Sequence, residues 1–177
     1  PSQYDSYLGI MKTGTEITQI SCRRGGVGFD VSTLRPNGAS VKNAAKTTTG
    51  TISFMKRFSN TVREVGQHGR RGASIQCLRV NHPDILEFIH CKRDLKEITG
   101  SNISVKISDD FMKAVEKDEE IDLVWDNKSS KVINAKKIWN ELVESAWMTG
   151  EPGLMFWDTV MKESTSKPHG FAEVASN

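Results

Sequence analysis

The sequence predicts an α/β fold in which helices alternate with short strands, and three observations carry that reading. Ile52, Met55, Phe58, Val62 and Val65 recur at helical spacing, with Lys56, Arg57, Arg63 and Glu64 off the stripe. Ile103, Val105 and Ile107 alternate with Ser104 and Lys106, which is the two-residue period of a half-buried strand. Clusters of glycine, proline and asparagine punctuate these runs at short intervals.

Taken in order, Asp5 and Ser6 can cap a first helix with Ile10, Ile17 and Ile20 as buried positions, although Gly14 weakens it. Arg23-Arg24-Gly25-Gly26 ends that helix, Val27 to Val31 forms a short strand, and Pro36-Asn37-Gly38 a loop. Thr48 or Thr49 caps the second helix and Gly66 closes it. The polar loop Gln67-His68-Gly69-Arg70-Arg71-Gly72 precedes a strand from Ser74 to Val80. His82-Pro83-Asp84 then turns the chain into a short helix with Ile85, Leu86, Phe88 and Ile89. After the strand around Val105, Ser108 or Asp109 caps a helix through Phe111, Met112 and Val115, and Ile121 to Trp125 forms a further strand. A longer helix holds Ile138, Leu142, Val143, Ala146 and Trp147 and stops at Gly150 and Pro152. A last helix spans Leu154 to Lys162, and Lys167 to Asn177 has no clear pattern.

With 177 residues the chain can bury one core, and its 37% hydrophobic and 26% charged content is that of a globular protein. No apolar run approaches the roughly 20 residues of a membrane-spanning helix. The start PSQYDSYLGI has neither the basic nor the apolar region of a signal peptide, and Pro1 in place of Met fits a piece of a longer chain. Twenty-four basic against 22 acidic residues leave a net charge of +2, which calls for neither nucleic acid nor an acidic membrane as partner. Cys22, Cys77 and Cys91 lie far apart without CxxC spacing, which favours structural thiols in a reducing cytoplasm over disulfides or zinc.

Two glycine-rich segments invite a functional reading beside a bland one. Gly25-Gly26-Val27-Gly28 is either a tight turn or a place where backbone approaches a ligand closely. Gln67 to Gly72 is a flexible loop whose two guanidiniums can hold phosphate or a base edge, or else a solvated turn; nucleic-acid binding is weakened by the near-neutral charge and the lack of nearby aromatics. His82 and His169 stand singly and suit surface or capping roles. Trp139, Trp147 and Trp157 on helices suit core packing. No Ser/His/Asp or Cys/His catalytic grouping is present.

Several segments in order resemble the large subunit of ribonucleotide reductases. They are DSYLGI at Asp5, RRGGVGFDVSTLRPNGASV from Arg23, TGTISFMKRFSNT from Thr49, GQHGRRGASIQCLRVNHPDILEFI from Gly66, NISVKISDDFMKAV from Asn102 and EPGLMFWDTV from Glu151. The resemblance implies part of the first half of a ten-stranded α/β barrel built from two antiparallel halves of parallel strands, with residues 1–177 as a single fragment of it. It implies reduction of the ribonucleotide 2′-hydroxyl by a cysteine thiyl radical, with a thioredoxin-type reductant. Cys22, Cys77 and Cys91 match none of the reaction cysteines, which are expected before Pro1 and after Asn177, so this segment alone is expected to be inactive.

What the segment matches is regulation. By resemblance, Asp5 binds the ribose of an effector deoxynucleoside triphosphate, Arg35 its phosphates, and Lys42 lies nearby. Gln67, His68, Gly69, Arg70, Arg71 and Gly72 match the specificity loop that links effector to substrate, with Arg71 touching the substrate. Gly25 and Gly26 match backbone lining the ribonucleotide substrate site, and Asn177 matches an asparagine that bonds the substrate ribose. The helices at Asp5 and Thr49 match those that pair across a two-fold homodimer. The wording of the motifs is closer to the adenosylcobalamin-dependent type than to the type that uses a diiron radical partner subunit. A stand-alone nucleotide-sensing module without catalysis is the alternative function.

Overall fold

Four strands assemble into one parallel sheet on which the helical stripes pack, and two more form a separate antiparallel hairpin. The computed structural model describes residues 5–42, 44–66 and 72–164. Gln67 to Arg71, His169 and Asn177, singled out above, lie outside these residues.

Ser6 caps α1 (Tyr7–Cys22), its hydroxyl accepting the Gly9 N–H at 3.1 Å. This helix buries Ile10, Thr13 and Ile17. Ile20, expected inside, is 38% exposed, because it lies in the last turn of the helix, where the chain reversal at Gly25 is what packs on it. Next come β1 (Val27–Asp30) and α2 (Gly50–Val65), whose Met55, Phe58 and Val62 are buried as their spacing requires. Thr48 rather than Thr49 supplies the hydroxyl at the start of α2, accepting the Gly50 N–H at 3.3 Å. After β2 (Ser74–Arg79), α3 (Ile85–His90) and β3 (Asn102–Ile107), Ser108 caps α4 (Asp109–Lys117).

Two strands, Lys128–Asn134 and Gly153–Phe156, were not legible as such, whereas the strand expected at Ile121 to Trp125 is present. β4 (Glu120–Trp125) pairs antiparallel with β5 (Lys128–Asn134) around Asp126 and Asn127, both left-handed with φ of 51° and 56°. Consecutive left-handed residues make the two-residue hairpin turn that matches strand twist, and β5 escapes notice because it is rich in Lys and Ser. Asn134 then caps α5 (Ala135–Thr149), and β6 (Gly153–Phe156) precedes α6 (Trp157–Glu163). Leu154 to Phe156 are therefore strand and not the first turn of a helix: they pair with Val105 to Ile107. On α5 the buried stripe is Ala135, Ile138, Leu142 and Ser145, which turns Val143 and Trp147 outward; Trp147 is 86% exposed, against the expectation of core packing.

The sheet order is β1-β2-β3-β6, all parallel. One face carries Phe29, Leu78, Val105 and Ile107 under the helices; Phe29 meets Phe58 of α2 edge to face, with centroids 5.1 Å apart. The opposite face carries Asp30, Cys77, Ser104, Lys106 and Met155. The second face of β3 is covered too: Ser104 and Lys106 are buried, so β3 is not the half-buried strand its alternation suggested. Because Phe58 is enclosed by this core, Phe58→Ala should cost roughly 3–5 kcal/mol. Urea unfolding would read this as a lower midpoint at unchanged slope, and a loss below about 1 kcal/mol would contradict the packing described.

Candidate functional site

At the C-terminal ends of β1 and β2, Asp5 and Arg35 meet directly. Arg35 Nε donates to Asp5 Oδ2 at 2.7 Å, Nη2 to the Asp5 carbonyl at 3.5 Å and Nη1 to the Ser40 carbonyl at 2.8 Å. A guanidinium has five donors; three are engaged by described residues, and among the described residues nothing takes the remaining N–H on each terminal nitrogen, which leaves them for an anion. The Trp125 ring lies 5.9 Å from the Arg35 guanidinium, and its own N–H donates to the Thr33 carbonyl at 3.4 Å. A cleft of about 640 Å³ opens here, lined by Asp5, Ser32, Thr33, Arg79, Asn81 and Trp125. Sequence reading missed Arg79 and Trp125, since only the hairpin β4–β5 brings the second of them to Asp5.

The loop after Arg35 folds on itself. Gly38 N–H donates to the Thr48 carbonyl at 3.0 Å, Thr48 N–H to the Ala39 carbonyl at 3.0 Å, and Val41 N–H to the Lys46 carbonyl at 2.8 Å. Lys42 is exposed beyond this ladder, and among the described residues no hydrogen bond or ion pair joins it to Arg35.

Below the loop, His82 is 1% exposed, which rules out the surface role of the two expected of it and leaves the capping one, on the turn before α3. Its Nδ1 accepts the Asp84 N–H at 3.1 Å and therefore carries no proton, while Nε2 donates to the Leu34 carbonyl at 3.0 Å. Burial pushes the imidazole below its ordinary pKa, in keeping with this neutral form. The short segment could not reveal this by periodicity, because His82 is buried by a loop from elsewhere in the chain.

At the other end of the strands, Gly25 sits in the turn that leads from α1 to β1. A Cβ there would lie 2.6 Å from Ile20 Cγ2, and its N–H donates to the Ile20 carbonyl at 3.0 Å, so this glycine closes a tight turn on α1. Gly26 leads directly into β1, whose first N–H, that of Val27, donates to the Ala73 carbonyl at 2.9 Å. Gly72 packs on α2, where a Cβ would meet Val62 Cγ1 at 2.5 Å. Gly66 and Gly72 both line a cavity of about 970 Å³ together with Arg63, Ser74, Lys92 and Glu151. Lys92 Nζ and Glu151 pair across it at 2.8 Å.

Between the two ends, the polar sheet face holds a buried ion pair. Lys106, 3% exposed, reaches across β2 to Asp30 at 2.7 Å, and its ammonium lies 3.3 Å from the centroid of the Trp157 ring. Cys77 lies on the same face with its thiol 3.5 Å from the Met155 sulfur. Burial raises the Cys77 and Cys91 thiols to about 12, so both stay protonated and suit structural roles.

The family described as ribonucleotide reductase, barrel domain, matches residues 2–177. The chain belongs to that family. A vitamin B12-dependent ribonucleoside-diphosphate reductase of Thermoplasma acidophilum is 38% identical over 96% of this chain and 22% of its own length. One of the same description from Mycobacterium tuberculosis is 30% identical, covering 97% of this chain and 25% of the relative. The ribonucleoside-diphosphate reductase large subunit of Caenorhabditis elegans is 29% identical, covering 94% and 25%. The chain thus spans about a quarter of the length of these relatives, and it contributes a parallel α/β portion of the reductase barrel domain.

The ion pair on the polar face yields a stability test. Lys106→Met strands a carboxylate that keeps some water, so the loss should be about 3 kcal/mol, the low end for breaking a buried pair. Adding Asp30→Asn should recover most of it, measured by urea midpoints of single and double variants. Equal losses in both would mean that the pair does not act as a unit.

Proposed function

We propose that this segment forms the effector site and specificity loop of a reductase that converts ribonucleotides to deoxyribonucleotides by thiyl-radical chemistry. The observation that carries this reading is Arg35, oriented by Asp5 and Ser40 with two N–H groups left for an anion. A deoxynucleoside triphosphate would set its phosphates against Arg35 and its sugar against Asp5. Gly25, Gly26, Arg71 and Asn177 would belong to the substrate site and Gln67 to Gly72 to the specificity loop. The four-stranded sheet would be part of the first half of a ten-stranded barrel, its polar face turned inward.

The B12-dependent relatives support adenosylcobalamin over a diiron partner subunit as radical source for the complete protein. Among the described residues no group of three or more metal-ligating side chains comes together, and no histidine lines either cleft. A thioredoxin-type reductant and a cytoplasmic setting go with three cysteines that form no disulfide. No helix among the described residues is long and apolar enough to cross a membrane.

A homodimer through α1 and α2 is supported by exposed Tyr7, Leu8 and Met11 on α1, with Tyr7 set edge-on to Phe54 of α2. It would also solve a distance problem. Asp5 and Arg35 sit at one end of the strands and Gly66 and Gly72 at the other, about 20 Å apart for a six-residue strand. A two-fold axis perpendicular to these helices would set them antiparallel and bring each Asp5–Arg35 pair toward the end of the partner that carries Gly66 and Gly72.

Two substitutions in the complete protein test this. Arg35→Ala should weaken deoxynucleoside triphosphate binding by about 1.5–3 kcal/mol, the worth of a hydrogen bond to a charged group. Unchanged affinity by equilibrium dialysis removes Arg35 from the site. Arg71→Ala should leave effector affinity nearly unchanged while shrinking the effector's influence on substrate choice, a coupling typically of about 1–3 kcal/mol. The readout is the ratio of kcat/KM for two ribonucleotides with and without effector; an equal shift in variant and wild type means that Arg71 carries no signal.

A further inference from the structure

The His82–Pro83–Asp84 turn touches neither proposed ligand, yet it holds the backbone on both sides of Arg35. His82 Nε2 donates to the carbonyl of Leu34, which belongs to the peptide bond leading into Arg35. Asp84 accepts the Asn37 N–H, at 3.0 Å on Oδ1 and 3.2 Å on Oδ2. Between these anchors, Pro36 has a fixed φ and no N–H of its own. Residues 34–37 are therefore left with little freedom, and the direction of the Arg35 side chain is set from beneath.

The same carboxylate makes a second connection. Asp84 Oδ2 accepts the Thr51 N–H at 3.0 Å, in the first turn of α2, where helical N–H groups lack intrahelical partners and favour negative charge. Asp84 is 5% exposed, so these bonds do not compete with bulk water. Contact between the joined parts is close: Gly50 has φ of +79°, and a Cβ there would lie 2.7 Å from Asn37 Cβ and 2.8 Å from Asn37 Cα. At its far end α2 runs into Gly66, where the specificity loop leaves.

We infer that His82 and Asp84 are positioning residues for effector binding: they fix the Leu34–Asn37 segment that presents Arg35 and tie it to the first turn of α2. The inference rests on the effector reading of Asp5 and Arg35. A nucleotide that pulls on Arg35 pulls on Asn37, and through Asp84 on Thr51, so the start of α2 senses occupancy without touching the ligand.

Asp84→Asn in the complete protein tests this, because the amide keeps the shape but replaces one acceptor oxygen with a group that cannot accept an N–H. Each of the four common deoxynucleoside triphosphates would be assayed by equilibrium dialysis, with Arg35→Ala alongside. The dissociation constant should rise about tenfold in Asp84→Asn, the scale of one lost hydrogen bond to a charged group. Hydrogen exchange supplies the readout that a purely structural turn would not move. In wild type the tightest-binding nucleotide should slow exchange in peptides covering 35–40 and 50–55, and in Asp84→Asn the response at 50–55 should vanish while that at 35–40 persists. An affinity within about twofold of wild type, or an unaltered response at 50–55, overturns the role of Asp84. If Arg35→Ala also leaves affinity unchanged, the effector reading itself falls and takes the inference with it. Should Asp84→Asn fail to fold, the wild-type exchange decides: protection confined to 35–40 overturns the link to α2.

Discussion

The carboxylate of Asp84, almost wholly buried, satisfies the N–H of Asn37 and that of Thr51 at once, and the structure around Arg35 and the start of α2 is arranged around that demand. A buried carboxylate without donors would be costly, and each donor without the carboxylate would be an orphan N–H in a place water does not reach. The loop from Leu34 to Thr48 must therefore come down onto the start of α2, and Gly50 is the residue that lets the two backbones approach so closely. His82 completes the arrangement from the same turn, its neutral form fixed by one donor and one acceptor on opposite ring nitrogens. Arg35 rides on this frame, and its bond to Asp5 joins the frame to the start of α1.

The sheet separates packing from chemistry. Its helix-covered face is an ordinary apolar core, with Phe29 and Phe58 at its centre. Its other face holds an ion pair, a thiol, a thioether and a cation over an aromatic ring, a composition that would be wasteful for stability alone. The two ends of the strands differ likewise, with the Asp5–Arg35 pair at one and Gly66 and Gly72 beside the Lys92–Glu151 pair at the other.

The helices were legible wherever one apolar stripe met one partner: the Met55, Phe58 and Val62 series lies on the core as its spacing requires. Legibility failed where a second surface intervened. Lys106 and Ser104 looked like the wet side of a strand, but Asp30 and Trp157 cover that side. Trp147 looked like core and faces outward, because α5 carries apolar residues off its buried stripe and spacing alone does not choose between two stripes. Asp5 and Arg35 were named by resemblance to the family, and their direct contact across 30 positions of sequence is something no local pattern encodes. The cleft positions of Arg79 and Trp125 and the burial of His82 within its legible turn escape sequence reading for the same reason: each acquires its neighbours only through tertiary folding.

The central claim is that Asp5 and Arg35 form the binding site of a regulatory deoxynucleotide. A structure of the complete protein with a deoxynucleoside triphosphate and a ribonucleotide substrate bound tests it most directly. Triphosphate oxygens within hydrogen-bonding distance of the Arg35 terminal nitrogens, with the deoxyribose at Asp5, are the predicted result. A regulatory nucleotide bound elsewhere, touching neither Asp5 nor Arg35, would contradict it.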